Sequence, residues 1–232
     1  MFYRISNIAG REELEFHFNR KFDFPNIYFP KVVLNGLEET TLSIITSEKP
    51  ECISYGIWGL LPEDFDENWY VFQNISNTLN TDLEHLEYTE ALYNTSVIKR
   101  RCLILATGFF TAYLYQKKMY PYYIHLTDEQ PFCFAGIYNQ LEDGFLTCSL
   151  LISDNAGYLA DIPHIQSKLP VVLSPRNYGN WLEDDLSVDA IDVMLESQKK
   201  MKFKSYPISR EFYNMKNPGM EILNPILLYN NP

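Results

Sequence analysis

Four cysteines and four histidines are the side chains best able to do covalent or metal chemistry in this 232-residue chain. Cys52, Cys102, Cys133 and Cys148 stand far apart with no C-x-x-C pair, so local spacing builds neither a zinc ribbon nor a thioredoxin-like redox motif. Most read as small buried hydrophobes. His17, His85, His125 and His164 are equally scattered and form no H-E-x-x-H. The expectation is therefore no metal and no cofactor. Basic residues cluster at Lys99-Arg100-Arg101 and again at Lys199, Lys200, Lys202 and Lys204. Either run could meet a phosphate, although charge runs at element edges are usually just solvated. The acidic stretch Glu183-Asp184-Asp185, with Asp189, Asp192 and Glu196, keeps a helical face wet more readily than it holds a cation.

Composition narrows the classes further. The chain is 46% apolar, 21% charged and 15% aromatic, which is a globular rather than a disordered composition. A chain of this length buries roughly 70–75% of its unfolded surface and needs no staple. The net charge of −11 repels nucleic acid and acidic membranes at long range, so any contact with DNA must be made by locally gathered cations. No run of about 18 apolar residues occurs, and Met1-Phe2-Tyr3-Arg4 does not begin a signal stretch. We expect no membrane association and a cytoplasmic location. The 17 tyrosines suit a protein interface.

Positioning these groups requires a strand-rich fold. Ile8 to Phe18 reads as a short amphipathic helix with Leu14 and Phe18 on one face. Lys31–Leu34, Leu42–Ile45 and Ile53–Trp58 read as strands, followed by a helix over Thr81–Tyr93. Five more strands fall at 102–106, 109–115, 120–126, 132–138 and 145–152, with Asn139–Gly144 a loop ending in an Asp-Gly turn. Ser174-Pro175 and Ser187 each look like the start of a short helix, and 201–208 like a last strand. The Asn/Pro-rich tail 214–232 reads as irregular, with Ile226, Leu227 and Leu228 available for docking. No repeat or linker divides the chain, so residues 1–232 are expected to be one α+β domain with a β-dominated core and peripheral short helices.

Trp58-Gly59-Leu60-Leu61-Pro62 is similar to W-G-L-I-P, and Arg101-Cys102-Leu103-Ile104 with Gly108-Phe109-Phe110 to R-C-L-I-P-A-x-G-F-Y-E-W. Phe134-Ala135-Gly136-Ile137-Tyr138 is similar to F-A-G-L-W, 165–173 to I-H-x-R-M-P-V-I-L, and Trp181-Leu182 to the W-L that follows. In this order and spacing the segments resemble the SOS-response-associated peptidase (SRAP) family, the abasic-site processing proteins, over nearly the whole chain. The resemblance implies a barrel-like mixed sheet. It also implies trapping of the ring-opened aldehyde of an abasic site in single-stranded DNA by a cysteine directly after the initiator methionine, whose amine and thiol together close a thiazolidine.

In this chain that position is Phe2, which has no thiol, and a bulky second residue normally prevents removal of Met1. The family's glutamate falls on Thr111 and its histidine on Gln166, neither of which moves a proton near pH 7. Its asparagine matches Asn80, the arginine two residues on becomes Asp82, and the tryptophan of G-F-Y-E-W becomes Ala112. Arg4 and Lys168 match family arginines and could still grip an anion. Trp58 is retained, either as a stacking platform or, more simply, as a core residue. Asn80 could orient a sugar, but the plainer reading is a helix N-cap ahead of Asp82 and Glu84. His164, two residues before Gln166, shares its face in an extended segment and could replace the lost histidine. The expectation is a divergent SRAP protein without an intact catalytic set, binding single-stranded or abasic DNA at Arg4, Trp58, Asn80, His164 and Lys168. An abasic-site lyase using the terminal amine and a protein-interaction module are the alternatives.

Overall fold

The computed structural model describes residues 2–83, 100–154, 166–183, 190–191, 193–194 and 201–228. In chain order the elements are β1 (Arg4–Asn7), α1 (Arg11–Phe18), β2 (Lys21–Phe22), β3 (Lys31–Asn35), β4 (Thr41–Thr46), β5 (Cys52–Trp58), α2 (Trp69–Ile75), β6 (Asn80–Asp82), β7 (Arg101–Ala106), β8 (Gly108–Tyr115), β9 (Lys118–Leu126), β10 (Phe132–Gln140), β11 (Leu146–Ser153), β12 (Leu169–Pro170), β13 (Val172–Leu173), α3 (Tyr178–Leu182) and β14 (Phe203–Pro207).

Strands β4, β5, β11, β10 and β7 close on themselves. Four of the junctions are antiparallel, and the fifth, Leu146–Cys148 beside Gly56–Trp58, is parallel. Closure leaves this five-strand mixed barrel with no exposed ladder of its own. Both faces of its strands are covered, which is why β7 and β10 read as nearly continuous apolar runs. Alternation along the strand sends Cys102, Ile104, Ala106, Phe132 and Phe134 into one core and Leu103, Leu105, Cys133, Ala135 and Ile137 into another. The first core is shared with a second sheet, ordered β14-β9-β8-β1-β3, through Ile5, Phe109, Ile124 and the partly buried Phe203. The second is roofed by Leu14 and Phe18 of α1 and by Trp181 and Leu182 of α3. The single α+β barrel expected from the sequence is the observed architecture.

Several elements differ from the sequence reading. Asn80–Asp82 is a strand paired in parallel with Leu150–Ile152, where a helix was expected to begin. The remainder of that expected helix, from 84 on, lies outside the described residues, as does most of the helix expected from Ser187. Helix α2 was not anticipated, because it buries only Trp69 and Gln73 and so shows no apolar stripe. Its start was nonetheless signalled by Asn68, whose Oδ1 accepts from Val71 N at 3.2 Å. In the tail, Ile222 and Leu223 dock on Phe110 and Tyr123, whereas Leu227 is exposed. Short 3-10 turns at Arg210–Tyr213 and Met220–Leu223 shape this segment.

Gly108 joins the barrel to the second sheet at a point of close approach. A Cβ there would stand 2.4 Å from the Tyr123 ring and hydroxyl. Tyr123 is itself buried and stacked on His125, so it cannot yield easily. Gly108→Ala is expected to cost about 1–3 kcal/mol, read as a lower urea midpoint at unchanged slope.

Candidate functional site

The fold brings four of the sequence-chosen residues to one small pocket. β1 pairs with β8 through Ile5↔Phe109. Arg4, the first residue of β1, and Phe2, two residues ahead of it, therefore lie near Thr111. Gln166 reaches the same place, its Oε1 lying 3.5 Å from Ala112 N, at the outer limit of a hydrogen bond. Phe2, Arg4, Thr111 and Gln166 line a small pocket, of about 320 Å³ with the solvent at its open mouth.

Phe2 is oriented twice. Its backbone N donates to Asn80 Oδ1 at 2.6 Å, a contact spanning 78 residues of sequence. Its ring is buried in the core, tilted against Phe109 with centroids 5.6 Å apart. Asn80 can play this part because it belongs to β6, held on β11, rather than capping a helix.

Polar atoms without a partner among the described residues gather here. They are Arg4 Nη1, Thr111 Oγ1 and Tyr213 Oη on the lining, and Asn80 Nδ2 on the residue that holds Phe2. Each would cost about 1–3 kcal/mol if kept dry and unpaired, so the pocket suits a hydrogen-bonding guest. Arg4 supplies the charge, with its guanidinium carbon 4.8 Å from the Phe212 ring centroid and 5.3 Å from that of Tyr3. Phe212 and Tyr213 were missed in the sequence. The signal was an aromatic pair just ahead of the Asn/Pro-rich tail.

Thr111 and Gln166 are neutral at every accessible pH, and no acid or base with a pKa near 7 lines the pocket among the described residues. No cysteine among the described residues takes over the missing nucleophile, since none lines the pocket and burial pushes the Cys102, Cys133 and Cys148 thiols far above the ordinary range. Among the described residues, the lining offers groups that bind and orient.

The other candidates are placed differently. Trp58 is fully buried, its Nε1 donating to Leu79 O at 2.9 Å, so it offers no ring face for stacking and the core reading stands. Lys168 is ion-paired with Asp82 and lies 3.5 Å from Asp154, which neutralises it as an anion grip. Arg101 in the expected basic cluster is buried, with Nε donating to Trp181 O at 2.7 Å. Its neighbour Arg100 pairs with Glu63 at 2.9 Å. His164 lies outside the described residues. Among the described residues, no three His, Cys, Asp or Glu side chains gather to hold a metal, and no helix is long and apolar enough to cross a membrane.

The profile of the SOS response associated peptidase (SRAP) family matches residues 1–215. The chain belongs to the SRAP family. Among curated relatives, the abasic site processing protein YMR114C of Saccharomyces cerevisiae is 22% identical over 199 residues, covering 83% of this chain and 52% of its own. The abasic site processing protein YedK of Escherichia coli K12 is 27% identical over 134 residues, covering 54% of this chain and 58% of its own. The chain thus spans about half the length of the curated relatives it matches. A crystal structure of a Bacteroides thetaiotaomicron protein superposes with a TM-score of 0.82 at 23% identity, covering 97% of this chain and 100% of that one. One from Bordetella bronchiseptica gives 0.67 at 15% identity, with 89% and 99% covered. These two likenesses show that the SRAP fold is kept across large sequence distance.

Proposed function

We propose that this chain is a non-crosslinking SRAP protein, one that recognises an abasic position in single-stranded DNA through hydrogen bonds and a single cation. The carrying observation is the Phe2 N to Asn80 Oδ1 contact at 2.6 Å with the Phe2 ring buried. It supports a scaffold that still orients residue 2 while presenting no nucleophile. With Met1 retained, that nitrogen is an amide and forms no imine. Arg4 on the pocket lining and its unpartnered neighbours suit an anionic or hydroxylated guest, such as a sugar–phosphate. The chain's curated relatives are named as abasic site processing proteins, which supports the ligand class.

Arg4 as the sole cation on the lining, among the described residues, implies weak binding with a shallow salt dependence. For one or two phosphates neutralised on a single strand, log K is expected to fall with log salt at a slope of about −0.7 to −1.4. Fluorescence anisotropy of a labelled strand, with and without one internal abasic site, at two salt concentrations reads this directly. Preference for the abasic strand, that shallow slope and no adduct after borohydride are the expected results. A borohydride-stabilised adduct would replace the proposal with an amine-based lyase. No binding at low salt would move the fold's role to a protein partner.

A further inference from the structure

A second pocket, of about 420 Å³, lies on the outer face of the β14-β9-β8-β1-β3 sheet and shares no lining residue with the first. Five separated parts of the chain build it: Ile8–Glu13 at the start of α1, Thr107, β9 with the turn that follows it to Glu129, β14, and the docked tail. At its base, His125 is only 6% exposed, stacked on Tyr123 at 5.4 Å and edge-on to Tyr206 at 5.8 Å.

The tautomer of His125 is set by its neighbour. Nδ1 lies 2.7 Å from Leu126 O, and a carbonyl only accepts, so Nδ1 carries the hydrogen. In the neutral ring Nε2 is then a lone-pair acceptor, and it has no partner among the described residues. Glu129 and Glu13 add carboxylates to the lining, while no Lys or Arg among the described residues lines it. Glu13 also accepts from Gly10 N at 3.2 Å in the cap of α1, leaving Glu129 as the freer acid. Glu129 is placed by a left-handed backbone, φ 60°, with its N donating to Leu126 O. Lys204, opposite His125 in the strand register, is exposed and lies 5.8 Å from the Tyr206 ring, outside the pocket lining. Met220, Leu223 and Pro225 form an apolar wall beside these acceptors.

The lining therefore combines two carboxylates, an imidazole acceptor and aromatic faces with neutral hydroxyl and amide groups from Thr107, Tyr123, Tyr206 and Asn224, and holds no cation among the described residues, within a chain of net charge −11. An anion is repelled there, and a neutral guest gains nothing from the carboxylates. We propose that it binds a small organic cation, a primary ammonium or guanidinium group on a short apolar stem. The head donates to Glu129 and to Nε2 of His125 against the Tyr206 ring, and the stem lies on Met220, Leu223 and Pro225. Its chemistry is the opposite of that of the Arg4 pocket, so the two sites take different ligands.

Butylammonium chloride is the probe, with butanol and sodium butyrate as controls of the same stem, each titrated into the full chain. NMR follows the His125 ring protons, and calorimetry gives affinities. Saturable shifts of His125 with butylammonium, absent with butyrate and much weaker with butanol, are expected. Glu129→Gln, a change at an exposed side chain, is expected to weaken binding roughly tenfold. Tyr206→Leu should weaken it about two- to fivefold. Equal binding of butanol, no movement of the His125 signals, or unchanged affinity in Glu129→Gln would overturn the proposal.

Discussion

Phe2→Cys is expected to turn a chain that releases an abasic strand on denaturation into one that retains it covalently. A small second residue permits removal of Met1, and Asn80 already holds the residue 2 nitrogen at 2.6 Å. The freed amine condenses with the aldehyde to an imine, losing one water. The adjacent thiol then adds across the C=N bond to close a five-membered ring. Intact mass should equal protein plus strand minus one water, surviving a denaturing gel without borohydride. With Thr111 and Gln166 offering no proton transfer, the reaction should be slow. Adding Thr111→Glu and Gln166→His to the Phe2→Cys protein is expected to accelerate it by about 10²-fold. Loss of the buried Phe2 ring costs about 3 kcal/mol, so the reaction belongs at low temperature, with folding checked by circular dichroism. A folded Phe2→Cys protein that gives no adduct would show that the pocket does not admit the sugar, and would remove abasic recognition from the proposal.

Trp58→Ala is expected to cost about 3–5 kcal/mol, a large share of the stability of a domain this size. The ring is fully buried, packs over Gly36, where a Cβ would meet it at 2.9 Å, and anchors Leu79 through its indole N–H. Leu79 precedes Asn80, so the same substitution loosens the contact that orients Phe2. Chemical denaturation checks the stability loss, and Trp58→Phe should fall between alanine and native. A Trp58→Ala protein of native stability that had lost only DNA binding would revive the stacking role.

The barrel was legible because its strands are apolar on both faces and separated by clear turn residues. Convergence of Phe2, Arg4, Thr111 and Gln166 was legible only through the ordered family segments, since 164 residues separate the first from the last. Asn80 misled because an asparagine ahead of acidic residues has the local chemistry of a helix cap, and only the distant strand β11 shows that it is a β residue. Arg101 and Lys168 read as surface cations, because sequence does not reveal that Trp181 O or Asp82 waits for them across the fold. The second pocket has no motif at all. His125, Glu129, Tyr206 and Met220 become neighbours only when the tail docks.

The parallel junction between β5 and β11 also governs the order in which the chain can become a protein. Gly56–Trp58 cannot find Leu146–Cys148 until some ninety further residues have been made, and β4 likewise waits for β7. Such distant pairings pay loop-closure entropy before any contact rewards it, and they fold slowly. During synthesis β4 and β5 can pair with each other, but the outer edge of β4 stays open until β7 is made, and the Gly56–Trp58 edge of β5 until β11 has left the ribosome. A nascent chain halted before that point is the species that chaperones should hold most tightly.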